Sequence, residues 1–167
     1  MDICTPISDE VMNWLKVGDM ISITGYIYCG RDAVLPKIVN LAQQNMLLKA
    51  GINLLGSVIF HTAVSCAGVG PTSSNKPEIE NSIEPLSAVG VKLHLGKGSI
   101  HTETVEALRK HNSAYAVIPP VTALLNSKTL KKSIIAFPED GMEAFHQLNV
   151  VEYPAIIAAA HGETIYV

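Results

Sequence analysis

Apolar and polar positions along this chain change period several times, and each change marks an element. Over residues 18–29, GDMISITGYIYC, β-branched and aromatic residues alternate around Gly25, which predicts a strand interrupted by a bend or bulge. From Asp32 the period becomes helical. Leu35, Ile38, Val39, Ala42 and Met46 share a face, Asp32 is placed as an N-cap, and Pro36 fits only the first turn. Residues 56–64, GSVIFHTAV, read as a second strand, followed by the small-residue loop GVGPTSSNKPE at 68–78. Glu78 to Val89 is weakly helical, and VKLHL at 91–95 is a strand. Thr102 can cap a helix through His111, with acids early and Arg109, Lys110 and His111 late, as the helix dipole favours. AYAVIPP, SIIAFP and PAIIAAA predict short buried strands, and GMEAFHQL at 141–148 predicts a last helix.

Strands thus alternate with helices, the signature of an α/β fold. At 167 residues the chain fits a single domain, and no repeat, low-complexity segment or linker divides it. Apolar residues make up 48% and charged residues 16%, a surplus that leaves surface for a subunit contact, with a partner or between copies of the isolated chain. The apolar run AIIAAA at 155–160 is far below the roughly 20 residues of a bilayer span, so no membrane segment is expected. MDICTPISDE has neither a basic nor a hydrophobic leader region, so the cytoplasm is the expected location. A net charge of −3 without a Lys/Arg cluster gives no footprint for nucleic acid. An anionic ligand would have to be met by a few placed cations.

Cys4, Cys29 and Cys66 are odd in number and widely spaced, which favours reduced thiols over disulfides or a zinc site. The six histidines form no metal-ligand spacing, and His61 and His94 read as core residues of strands. No metal is expected on this chain.

Three small-residue loops carry the candidate chemistry. In CGRDA, glycine turns the backbone tightly while Arg31 projects a planar, permanently charged fork suited to a carboxylate, or pairs with Asp32. In GVGPTSS, Gly68 and Gly70 free the backbone, Pro71 stiffens it, and Thr72, Ser73 and Ser74 gather three hydroxyls that can enfold an anion or simply face water. In LGKGS the glycines let Lys97 approach a ligand. The spacing is not that of a P-loop, so a nucleotide is not the expected ligand.

Together these loops carry a resemblance. LKVGDMISITGYIYCGRDA, GVGPTSS, GVKLHLGKGSI, EDGMEAFHQLNVVEYPAII and a closing G-x-x-I-Y resemble, in order and spacing over nearly the full length, the β subunit or C-terminal domain of the class I iron–sulfur hydro-lyases, class I fumarase and L-tartrate dehydratase. The resemblance implies a swivelling β/β/α domain over residues 1–167. It would dock on an alpha subunit that carries a four-iron four-sulfur cluster, and the substrate would be a small dicarboxylate. It also implies that Arg31 binds a substrate carboxylate, Thr72 is the base, Lys97 completes the catalytic site, and Lys76 stands where the family has a second arginine. Gly70 and Ser73 are expected as further substrate contacts in the same loop. The chain departs from the family at Val34, Leu35 and Pro36, where Ala-His-Lys/Arg is usual, and at FHTAVSCAGVGPT, which lacks the YxGP pattern. These departures leave room for a divergent carboxylate substrate. Two readings outside the enzyme class are a non-catalytic docking or regulatory module and a carboxylate-binding protein acting alone.

Overall fold

The computed structural model describes residues 1–65, 68–72, 76–119 and 121–166, with the backbone alone at 70–72, 76 and 78. β1 (Asp2–Cys4) leads into α1 (Asp9–Trp14), where the Ser8 hydroxyl caps the helix by accepting from the Val11 N–H at 3.3 Å. β2 (Met20–Cys29) and α2 (Leu35–Gln43) follow as the periodicity predicts. Next come β3 (Val58–Phe60), β4 (Thr62–Ser65), β5 (Gly68–Thr72) and α3 (Lys76–Ala88). β6 (Leu93–Gly96), α4 (Thr102–Lys110), β7 (Ala114–Val117), α5 (Thr122–Ser127) and β8 (Thr129–Ala136) continue the alternation. A short 3-10 helix (Pro138–Glu143), the long β9 (Phe145–Ala160) and β10 (Glu163–Thr164) complete it.

β2, β3, β6 and β7 lie side by side and parallel, and β9 closes the set by pairing antiparallel with both β7 and β2. The result is a five-strand closed, barrel-like mixed sheet. Closure satisfies backbone groups that an open sheet would leave at its edges. Residues of one strand parity fill the inside: Ile27, Cys29, Phe60, Leu93, Leu95, Ala116, Leu148 and Ile157 form one buried cluster. The other parity faces the helices. Leu35 and Ile38 of α2 pack with Tyr28, Ile59 and Phe145, while Ile79 and Ile83 of α3 and Leu108 of α4 pack with Tyr115 and Ala158. Lys37 joins α2 to the 3-10 helix through Asp140 at 2.7 Å.

Several expectations need correcting. Residues 141–148 are not an α-helix: Gly141, at φ 60 and ψ −121, kinks the 3-10 segment that ends at Glu143, and the chain is strand from Phe145, pairing with β8 there and with β2 from His146. Over so few residues a helical and a strand pattern are hard to tell apart, and the sheet supplied partners that a lone helix would lack. Residues 56–64 are two strands in two sheets, broken at His61. Residues 68–72 are a strand rather than a loop, because β4 and β5 form a hairpin. Asp32 does not cap α2, since the helix starts at Leu35 with Val34 in the cap position and ends at Gln43, short of Met46. Thr102 is the first residue inside α4, and His101 holds the cap position.

Candidate functional site

The parallel strands end in step. Cys29 pairs with Phe60, Phe60 with Leu95, and Leu95 with Ala116. The ladder runs one residue further, with Gly30 N–H donating to Phe60 O at 3.1 Å and His61 N–H to Leu95 O at 3.0 Å. The residues that follow β2, β3 and β6 therefore share one edge of the sheet: Arg31, His61 and Lys97. Strand spacing puts the Arg31 and Lys97 backbones roughly 10 Å apart, with His61 between them. Carboxyl ends of parallel strands, where helices begin, are where α/β folds bind ligands.

Arg31 is set by its neighbours. A Cβ on Gly30 would meet Leu35 Cδ2 and Val34 Cγ1 at 2.9 Å, so only glycine allows the chain to fold this closely onto α2. The Arg31 carbonyl then accepts from the Leu35 N–H at 2.9 Å, fixing the Arg31 backbone at the helix start. Its Nε is buried and has no hydrogen-bond partner among the described residues. A buried cationic N–H without a partner among the described residues can donate to an anion. Leu35 lies in the core at 2% exposure, so the helix turn that carries histidine in the resemblance is here spent on packing.

Lys97 is exposed in the turn after β6. Tyr115 of β7 donates its hydroxyl to Gly98 O at 3.1 Å, and Gly98 takes φ 74, which anchors that turn. Thr72 ends β5, and its backbone is the register partner of Thr62, the residue next to His61. The hairpin thus returns Thr72 to the edge that carries Arg31 and Lys97. Lys76 opens α3 a short way beyond, and Gly70 lies within β5. The side chains of Thr72 and Lys76 and the whole of Ser73 lie outside the described residues.

Sequence reasoning passed over one feature of this edge. His61 Nε2 lies 3.1 Å from His94 Nδ1, and His94 Nε2 lies 3.0 Å from Ser87 Oγ of α3, all three side chains being buried. Burial, helped by the neighbouring His61, holds the His94 imidazole well below its ordinary pKa, so it is neutral at pH 7. The signal was strand parity: Leu93 and Leu95 face inward, so His94 must face a helix and needs a polar partner there.

Beside the edge, a cavity of about 550 Å³ lies between Val64 and Ser65 of β4 and Lys132, Ile134, Met142 and His146. His146 is the register partner of Cys29, which places this cavity next to the end of β2. No group of three or more His, Cys, Asp or Glu among the described residues could hold a metal ion: Cys29 is sealed inside the barrel and Cys4 is exposed on β1. Cys66 lies outside the described residues. No helix among the described residues is long and apolar enough to cross a membrane.

The Fumarase C-terminus family model matches residues 1–167. A Methanocaldococcus jannaschii protein provisionally named L(+)-tartrate dehydratase subunit beta is 28% identical, over 91% of this chain and 84% of its own. The Escherichia coli L(+)-tartrate dehydratase subunit beta is 27% identical, over 96% and 84%. A Geobacillus stearothermophilus protein provisionally named fumarate hydratase class I is 29% identical over 96% of this chain, which spans 32% of that longer protein.

Proposed function

The chain belongs to the Fumarase C-terminus family, and from that premise we propose that it is the β subunit of an iron–sulfur hydro-lyase. It reversibly dehydrates a small 2-hydroxy dicarboxylate of the malate or tartrate type, together with an alpha subunit. The observation that carries this reading is the ending in step of β2, β3 and β6, with the buried Nε of Arg31 at that edge having no partner among the described residues. In this reading the domain is of the swivelling β/β/α kind, its ligand edge facing the alpha subunit, and it works in the cytoplasm.

Dehydration removes a weakly acidic C–H proton beside a carboxylate while hydroxide leaves the adjacent carbon. Arg31 grips one carboxylate through its guanidinium fork. Lys76 and Lys97 hold the other and balance the charge that grows on the carboxylate as the proton departs. Lys76 supplies a point charge where an arginine would supply two parallel hydrogen bonds, which loosens orientation at that end of the substrate. Thr72 takes the proton, and its alkoxide needs the nearby ammonium of Lys97 for stability. Among the described residues no set of side chains fits a cluster, and in this reading the four-iron four-sulfur group is carried by the alpha subunit, where it would supply Lewis acidity toward the leaving hydroxyl.

The test is anaerobic co-production of this chain with a cluster-bearing alpha subunit, iron reconstitution, and assay against L(+)-tartrate, L-malate and fumarate. Turnover that requires both chains, and that Thr72→Ala abolishes with substrate binding largely retained, is the expected result. Equal turnover by the alpha subunit alone, or none by the loaded complex on any dicarboxylate, overturns the proposal.

A further inference from the structure

His61, His94 and Ser87 come from three elements that each lead to a candidate site residue. His61 follows β3 and precedes Thr62, on which the backbone of Thr72 pairs. His94 lies on β6, which ends at the Lys97 turn, and Ser87 lies on α3, which begins at Lys76. The contacts of 3.1 and 3.0 Å link these elements into one line beneath the ligand edge. The two imidazoles are 0% exposed, with ring centroids 5.4 Å apart.

A neutral imidazole carries one N–H and one lone pair. With His94 bonded at both nitrogens, only two arrangements satisfy the line. In one, Ser87 donates to His94 Nε2 and His94 Nδ1–H donates to His61 Nε2. In the other, both directions reverse. Either one prevents His94 from rotating without losing two buried hydrogen bonds, and with Nε2 engaged the remaining nitrogen of His61 is a buried Nδ1. Apolar side chains could fill this volume, but dispersion contacts do not fix a ring's direction as a directional pair does.

We infer that His61 is a positioning residue of the ligand edge, its ring fixed by His94 and Ser87 so that the β3–β4 junction holds the strand of Thr72 in register. This rests on the hydro-lyase reading for its consequence in turnover, and on geometry alone for the network. His94→Leu cuts the line at both ends, whereas His94→Asn keeps an amide near the position of Nδ1 and can still meet His61.

In the assembled two-chain enzyme, His94→Leu is expected to lower kcat about tenfold with KM within about twofold, and His94→Asn to recover most of the loss. A folded His94→Leu enzyme with wild-type kcat overturns the inference. Nitrogen-15 spectra of histidine-labelled wild-type chain provide a second measurement that needs no variant to fold. One neutral tautomer each for His61 and His94 at about pH 8, with His94 unchanged down to about pH 5, is expected. Mixed tautomers, or a His94 that titrates near the ordinary histidine pKa, overturn it. A wild-type complex inert toward every dicarboxylate counts against the hydro-lyase reading instead, and the spectra then decide the network by themselves.

Discussion

Glu80 on α3 closes the N-terminus of α4 through His101: its Oε1 accepts from the His101 backbone N–H at 2.6 Å, and its Oε2 lies 2.6 Å from His101 Nδ1. The Thr104 hydroxyl donates to the same Oε1 at 2.6 Å. His101 itself makes no side-chain cap bond, so the cap comes from another helix. Local capping is thereby replaced by a tertiary contact that locks two helices together over the sheet.

Replacing Glu80 by Ala should cost about 1–2 kcal/mol, read as a shift in the denaturation midpoint. Desolvation pushes the Glu80 carboxyl upward, but the bonds from Thr104 and His101 together outweigh it and hold the folded-state pKa below the ordinary glutamate value. The stabilisation is therefore present above the unfolded-state pKa and is lost as pH falls through the folded-state one. The gap between wild type and Glu80→Ala should narrow on acidification through that range, and a constant gap would contradict this account.

Gly25 interrupts β2 with φ 125 and a register shift after Ile23, and a Cβ there would run into Thr5 Oγ1. Thr5 cannot simply move, because its hydroxyl donates to Tyr26 O at 2.8 Å and its N–H to Thr24 O at 3.0 Å. Gly25→Ala combines backbone strain with a clash and should destabilise by about 2–4 kcal/mol in urea titrations. A change under about 0.5 kcal/mol would show that the strand can rearrange.

Cys29 sits at 0% exposure inside the barrel, and burial pushes its thiol pKa far up, whereas Cys4 is exposed. Thiolate is the reactive form. Iodoacetamide on the native chain should alkylate Cys4 and leave Cys29 untouched until denaturant is added, as peptide mass spectrometry will report.

Arg31 and Lys76 should differ in what their replacement does to the assembled enzyme. On the proposed carboxylate role, Arg31→Ala should raise KM for the dicarboxylate about 10- to 100-fold, with Arg31→Lys intermediate. Lys76→Arg restores a planar fork and should lower KM a few-fold. Unchanged KM in both would remove these residues from carboxylate binding.

Tyr115→Phe loses the bond to Gly98 O and with it the anchor of the Lys97 turn. The expected outcome is about 1 kcal/mol of stability and a severalfold fall in kcat/KM. Wild-type turnover at lowered stability would confine Tyr115 to packing.

What the sequence determined by itself was local. The alternation over 18–29, the helical period after Asp32 and the apolar strand at 91–95 each carry a free-energy preference within a few neighbouring residues, and β2, α2 and β6 formed where that preference lay. Arg31 and Lys97 were legible as cations in glycine turns for the same reason. Tertiary structure decided what depends on partners far along the chain. Phe145 onward became strand because β8 and β2 offered a register, and GVGPT became a hairpin because β4 lay beside it. The pairing of His61 with His94 arose because β3 and β6 are adjacent and parallel, a relation between residues 33 apart that no local period encodes. Hydrogen bonds across a closed sheet are contacts of sequence-distant groups, and only the folded chain says which of them meet.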